Sequence, residues 1–368
     1  MQIIQAIWIG MLLLFLNPGT LWAVDGETAA AEPVDSEIHW GASPIFFSTP
    51  ETGMAIGGYI MGYRSLDPDS PAGKQDSFDG MLIYTKEEQI ICNLSLKKYF
   101  QGDRYLLMAK GGYLDFPSKF YGIGSDADED MEEDYTLLGR SYSASFLYKM
   151  VPDFYLGPFV SYGVFDVKDR TAGGQLAAGN IIGWDGTTVA GAGFQLLRDT
   201  RDDNYMPRNG SVFNAQAISY RQKWGSDEDF SQYGVTYKCF WPVGQTGTFA
   251  LMSLVLFNDG TVPFEMMPCL GGETIMRGYY SGLYRDRDYA ALQGEYRYVI
   301  NSRISGVYFA SLGEVAPESR QFNGENIKAA AGFGFRFQLY PKQKLRLRLD
   351  IGVSEDGFAT YINFMEAF

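Results

Sequence analysis

Catalytic chemistry has few places to start in this chain. A single histidine, His39, stands among 368 residues, so a His-ligated metal or a histidine base could be built only there. No Asp-rich or Ser-rich motif lies beside it, and no Gly-x-Ser-x-Gly elbow occurs. Cys92, Cys239 and Cys269 are an odd number without metal-ligand spacing. Cys92 and Cys239 sit inside strand-like runs, as small apolar residues do. The densest charge block, Asp126 to Asp134, begins like a calcium loop, but Met131 stands where that loop needs glycine for its sharp turn. It reads as a solvated loop, with divalent-cation binding near a lipopolysaccharide surface as the sharper alternative. No enzymatic activity, cofactor or metal site is expected. The net charge of −14 argues against nucleic acid, whose phosphates demand basic patches.

Two segments are more specific. Asp199, Arg201 and Asp202, followed by Pro207 and Gly210, define a turn between strands, and Asp/Arg pairs there can tie neighbouring strand ends together. Leu270-Gly271-Gly272-Glu273-Thr274-Ile275-Met276-Arg277-Gly278-Tyr279-Tyr280 lies inside the longest loop, where its glycines allow sharp bends and close approach to a wall. Arg277, confined in an interior, needs carboxylate partners, because an unpaired guanidinium away from bulk water is costly. Glu295 has the parity opposite to Tyr296 and Tyr298. With those tyrosines facing lipid it points inward, as a candidate partner of Arg277.

The elements that must position these residues are strands. Phe333, Phe335, Phe337 and Leu339 share one parity, while Gly332, Gly334, Arg336 and Gln338 share the other. After Pro341 to Lys344, Leu345, Leu347, Leu349 and Ile351 alternate with Arg346, Arg348 and Asp350. Each such strand has one apolar and one polar face. Sixteen strands are predicted, near 39–48, 52–63, 77–86, 88–99, 103–113, 135–150, 153–167, 187–198, 209–220, 229–241, 246–257, 288–300, 303–315, 328–340, 344–353 and 357–368. Tight turns alternate with long connections at 114–134, 168–186 and 258–287. An even strand number with unequal rims, together with the aromatic terminus at Phe368, predicts an all-β fold: a single transmembrane antiparallel β-barrel, greasy outside and wet inside. Forty-three glycines, 25 tyrosines and 26 phenylalanines agree with many strands and turns.

The amino-terminal apolar stretch Ala6 to Leu16 is too short to span a bilayer as a helix, and Leu21-Trp22-Ala23 resembles a cleavage site. Residues 1–23 therefore read as a signal peptide, although no Lys or Arg precedes the apolar core. Residues 24–38 read as a flexible periplasmic leader and 39–368 as the outer-membrane barrel.

The Asp199 turn and the Arg277 loop, in that order, with the ending Leu347-Arg348-Leu349-Asp350-Ile351-Gly352 and Phe368, resemble the Omp85 superfamily barrel, also called the bacterial surface antigen D15 domain. Phe120-Tyr121-Gly122-Ile123-Gly124 resembles a further segment of that group. The resemblance implies a sixteen-stranded outer-membrane barrel whose sixth extracellular loop folds into the lumen, setting its arginine tip against acidic wall residues. Arg277, Gly278 and Tyr279 match that tip, and Glu295 matches the wall acid. Met276 departs from the usual Val or Ile, and Ser311 stands where a second wall aspartate is expected. Val24 to Ala42 is too short for the periplasmic POTRA domains of the assembly and secretion members, and no patatin-like lipase domain is present. The implied role is assembly or translocation of outer-membrane protein or lipid, through a seam opened between the first and last strands. Outer-membrane lipids and periplasmic or client proteins are the expected partners. A passive pore or structural barrel, its lumen constricted by the Arg277 loop, is the alternative.

Overall fold

A computed structural model describes residues 38–66, 74–203, 206–338 and 346–368. The expected signal peptide and nearly all of the leader lie outside the described residues. The strands are β1 (His39–Thr49), β2 (Gly53–Ser65), β3 (Gln75–Thr85), β4 (Ile90–Phe100), β5 (Tyr105–Phe120), β6 (Glu133–Val151), β7 (Phe154–Lys168) and β8 (Gly186–Asp199). They continue as β9 (Gly210–Tyr220), β10 (Phe230–Val243), β11 (Gly247–Gly260), β12 (Asp288–Val299), β13 (Ile304–Ala316), β14 (Lys328–Gln338), β15 (Arg346–Ser354) and β16 (Gly357–Phe364). Each pairs antiparallel with its chain neighbours, and β1 meets β16 to close one sixteen-stranded barrel.

Alternation decides which side each residue takes. On β3, Met81 and Ile83 are buried inside while Leu82 and Tyr84 are exposed outside. Phe194, Tyr308 and Phe358 likewise stand on the outer face. A belt of exposed large apolar residues on a closed barrel is a lipid-facing surface. Aromatic residues gather near the end with short turns: Tyr105 stacks on Phe146 at 5.5 Å, and Tyr298 stacks on Tyr296 at 5.9 Å and on Tyr308 at 5.5 Å. Aromatic girdles mark the membrane boundary. No helix among the described residues is long and apolar enough to cross a membrane.

Two boundaries differ from expectation. The segment 114–134 is a loop only in part: β5 runs on to Phe120, with Leu114, Phe116 and Phe120 buried on the inner face. Pro117 falls on the opposite parity, where its missing N–H interrupts the sequence signal without ending the strand. The last strand stops at Phe364 instead of 368. Met365 takes a φ of 65°, and residues 365–368 turn into the lumen, where all are buried.

Wall heights are unequal. β6 has 19 residues, whereas β15 has 9 and β16 has 8. The long connection 261–287 folds into the barrel. In one half its Val262, Phe264, Met266 and Met267 pack against inward residues of β1 to β10 such as Phe47, Tyr135, Phe165 and Tyr220. That half of the interior is mainly apolar, with Arg285 set over the Phe120 and Phe264 rings and donating to the Phe264 carbonyl at 3.2 Å. The other half is charged.

Candidate functional site

The charged half is built by β12, β14 and β15, whose polar parity faces inward, and by the tip of loop 261–287. Arg277 is fully buried. Its Nη1 donates to Asp350 Oδ2 at 2.5 Å and its Nη2 pairs with Glu295 Oε1. Its guanidinium lies 3.6 Å from the centre of the Phe309 ring. Two carboxylates and an aromatic face around one guanidinium supply the compensation that a buried cation requires.

Backbone geometry explains how the tip reaches the wall. Gly278 has a φ of 127°, its N–H donates to Tyr361 Oη at 3.0 Å, and its carbonyl accepts from Ser354 Oγ at 3.0 Å. Opposite it, a Cβ on Gly352 would lie 2.4 Å from the carbonyl oxygen of Arg277. Glycine at both positions lets loop and strand touch backbone to backbone. Tyr279 Oη donates to the carbonyl of Ala329 at 2.9 Å.

The contacts extend outward from Arg277. Arg297 Nε donates to Glu295 Oε2 at 2.8 Å, and Arg336 Nη1 donates to Asp350 Oδ1 at 2.5 Å. Arg348 Nη2 donates to Glu273 Oε2 at 3.0 Å, and Asn363 donates to the same oxygen. Burial pushes the Glu273 carboxyl up to about 7, even with Arg348 beside it. Ser281 N donates to Glu51 at 2.8 Å and Tyr284 Oη to Asp356 at 3.1 Å, which pins the loop to the β1–β2 and β15–β16 turns.

The structure brings together Arg277, Gly278, Tyr279, Glu295, Asp350 and Gly352. The second carboxylate on Arg277 comes from β15, where Asp350 has inward parity, and not from position 311, where Ser311 Oγ donates to Ala330 O at 3.5 Å. Phe368 also reaches this wall, from inside: Arg297 Nη2 donates to its carbonyl at 2.8 Å. Glu366 receives Arg336 Nε at 2.8 Å; burial would raise its carboxyl, but Arg336, Arg297 and Arg346 hold it at about 2. Sequence reasoning missed Arg336 and Glu366 as members, although the parity of Arg336 was visible.

The Asp199 turn is a separate unit at the short-turn rim. Arg201 donates to Asp199 through Nε at 3.0 Å and Nη2 at 2.7 Å. Asp202 Oδ1 accepts the N–H groups of Arg208 and Asn209 at 3.0 and 3.1 Å, and Arg208 reaches Gln245 O at 2.8 Å. Pro207 lies within this turn, and Gly210, with a φ of 98°, opens β9. Asp199 and Asp202 thus tie the turn to itself, and Arg208 ties it to the next one. His39 stands at the start of β1, its ring 5.2 Å from that of Tyr63. Glu132 of the acidic run pairs with Lys119 at 2.6 Å, and Glu133 caps the N–H of Gln175 at 2.6 Å. No cluster that could hold a metal occurs among the described residues.

Residues 96–364 match the model of the Omp85 superfamily domain. No curated protein matches the chain by sequence. Among solved structures, BamA from Haemophilus ducreyi lacking POTRA domains 1–3 is 12% identical with a TM-score of 0.59, over 88% of this chain and 70% of that one. CdiB from Escherichia coli is 11% identical with a TM-score of 0.58, over 92% and 64%. CdiB from Acinetobacter baumannii is 10% identical with a TM-score of 0.56, over 89% and 60%. The chain therefore spans less than two thirds of either CdiB.

Proposed function

The chain belongs to the Omp85 superfamily as an outer-membrane β-barrel, and we propose that it assembles or translocates outer-membrane protein or lipid through a seam between β1 and β16. The observation that carries this reading is the pairing at that junction. β1 and β2 are in register from His39↔Tyr63 to Thr49↔Gly53, and β15 and β16 from Leu347↔Phe364 to Ser354↔Gly357. Between β1 and β16 a single pair, Ser48↔Ile362, is in register. Unpaired strand edges expose N–H and C=O groups that hydrocarbon cannot satisfy, so such an edge favours an incoming strand. The seam offers an extended client polypeptide a template on each side. Periplasmic proteins and client barrels are the proposed partners, and the Arg277 contacts are the brace that keeps the rest of the wall rigid while the seam moves.

The test is a lock. In a background with Cys92, Cys239 and Cys269 replaced by alanine, Ser48→Cys and Ile362→Cys place two outward thiols across the seam. Oxidation should abolish insertion of an unfolded outer-membrane barrel polypeptide into proteoliposomes, and a reductant should restore it. Full activity in the oxidised form refutes the reading. A second reading, a plugged pore, is favoured by the packing of Phe264 and Met266 inside the lumen. It expects planar-bilayer conductance to rise when Arg277→Ala loosens the loop, and unchanged conductance excludes it.

A further inference from the structure

Around Arg277 each guanidinium meets a fixed carboxylate. The lower lumen on the side of β4, β5 and β10 is built otherwise. Lys97 shares the inward parity of Asn93 and Tyr99, Lys110 that of Leu106 and Leu114, and Lys238 that of Gln232 and Phe240. Lys97 and Lys110 are neighbours, since Lys97 pairs with Met108 and Lys110 with Ser95. All three lysines are half-buried, and so are Ser143, Asn214 and Thr236, which share the inward face.

Half-burial on an inward face marks space within the lumen, and the strands fix its depth. Leu114 and Phe116 on β5, with Ile218 and Tyr220 on β9, belong to the apolar packing under loop 261–287. They stand nearer the long-loop rim than Lys110 and Asn214 do on the same strands. The lysines therefore line a polar chamber beneath the in-folded loop, toward the short-turn rim.

The carboxylates of this region are already engaged. Asp79 accepts from Tyr59 Oη at 2.5 Å and from Ser95 Oγ at 3.1 Å. Asp199 is held by Arg201 through Nε at 3.0 Å and Nη2 at 2.7 Å. Among the described residues Lys97 and Lys238 form no ion pair; Lys97 Nζ lies 5.3 Å from the centre of the Tyr99 ring. A confined ammonium group without a fixed carboxylate draws its compensation from anions in solution. Charges of one sign along a cleft concentrate such anions, and lysine or arginine linings are how pores take up phosphate. Lysine, a compact charge on a flexible stem, suits an anion that comes and goes better than the planar fork of arginine does.

We propose that the lower lumen is a chamber that binds a phosphate-bearing anion arriving from the periplasm, with Lys97, Lys110 and Lys238 as its cationic anchors. The phosphate belongs either to a free phosphate compound or to a lipid headgroup. The proposal does not rest on the seam reading, because the chamber is formed in the closed barrel.

The test is lysine footprinting of the full-length barrel in phosphatidylcholine nanodiscs. Brief acylation with N-hydroxysuccinimidyl acetate, followed by peptide mass spectrometry, reads each lysine separately. Once sodium pyrophosphate stands roughly ten times above its dissociation constant, acylation of Lys97 and Lys238 should slow about tenfold. Lys86, its side chain 74% exposed beyond β3, should keep its rate, and sodium chloride of equal ionic strength should protect none of them. Submicellar dihexanoyl phosphatidic acid is the second ligand. Protection by it alone assigns the site to a lipid headgroup, by pyrophosphate alone to a free phosphate compound, and by both to the shared phosphate chemistry. Protection equalled by chloride means charge screening only and overturns the proposal. Lysines that never react, or that neither phosphate compound protects, overturn it as well. A parallel preparation beginning at Ile38 lacks the acidic stretch with Asp25, Glu27, Glu32, Asp35 and Glu37. Lysines that react only in that preparation have the leader as their partner, which also overturns the proposal.

Discussion

The Arg277 brace and the β1–β16 seam both engage β16, through Tyr361 and Asn363 on its inner face and Ile362 on its outer face, and they differ in almost every physical respect. At the brace a fully buried guanidinium is shared between carboxylates from two strands, its loop tip touches β15 backbone to backbone, and neighbouring arginines repeat the pattern. At the seam one residue pair is in register, supported by the edge-on contact of Phe46 and Phe364. A closed barrel has no free edge to open without cost. On the proposed reading, concentrating charge pairing on one side of β16 and leaving the other side thinly stitched sets where the barrel opens.

Breaking the brace should have the largest effect. Arg277→Ala removes two buried charge-assisted hydrogen bonds and leaves Glu295 to Arg297 and Asp350 to Arg336, so about 3–5 kcal/mol of barrel stability should be lost. This would be read as a fall in the melting temperature of heat-modifiable mobility. Gly352→Val should come next, at roughly 1–3 kcal/mol, because its side chain meets the Arg277 carbonyl and forces the tip off the wall. The same assay applies, and an unchanged transition would mean that the loop does not need that approach. Phe364→Ala at the seam should cost less, about 0.5–1.5 kcal/mol of ring contact, while increasing protease access at β1. If it destabilises as much as Arg277→Ala, the contrast between the two regions is false.

The smallest effect concerns pH. Burial raises the Glu273 carboxyl to about 7 in the folded state, against an ordinary value of 4.5. The folded protein thus holds a proton that the unfolded chain has released, so this group's contribution is most favourable below about 4.5 and declines as pH rises through 7. Melting followed from pH 5 to 8 should show a decline that flattens in Glu273→Gln. An identical slope in the variant would remove Glu273 as its source.

Strand parity made most of the barrel legible. The alternation of Phe333, Phe335 and Phe337 against Arg336, and of Leu347 and Leu349 against Arg348 and Asp350, assigns faces by geometry alone, and the faces in the structure follow it. Parity also turned Glu295 inward. It could not say which inward carboxylate meets Arg277, because that depends on strand tilt and on how far the loop descends. In the sequence Asp350 therefore stands only as part of an ending motif, and Ser311 occupies the place of the expected wall aspartate. The failures at 114–120 and 365–368 share a cause. Pro117 weakens a strand signal that cross-strand pairing restores, and Met-Glu-Ala-Phe reads as one more alternation until the lumen arginines compete for its glutamate.

The uneven wall also bears on the surrounding bilayer. At about 3.3 Å per residue and a tilt near 40°, the 19 residues of β6 rise roughly 48 Å, while the 8 of β16 rise roughly 20 Å. The apolar band of such barrels is about 25 Å tall. Acyl chains beside β16 must therefore shorten or splay to cover it, whereas those beside β6 meet wall to spare. Lipid is therefore most compressed where the cylinder is least sewn shut.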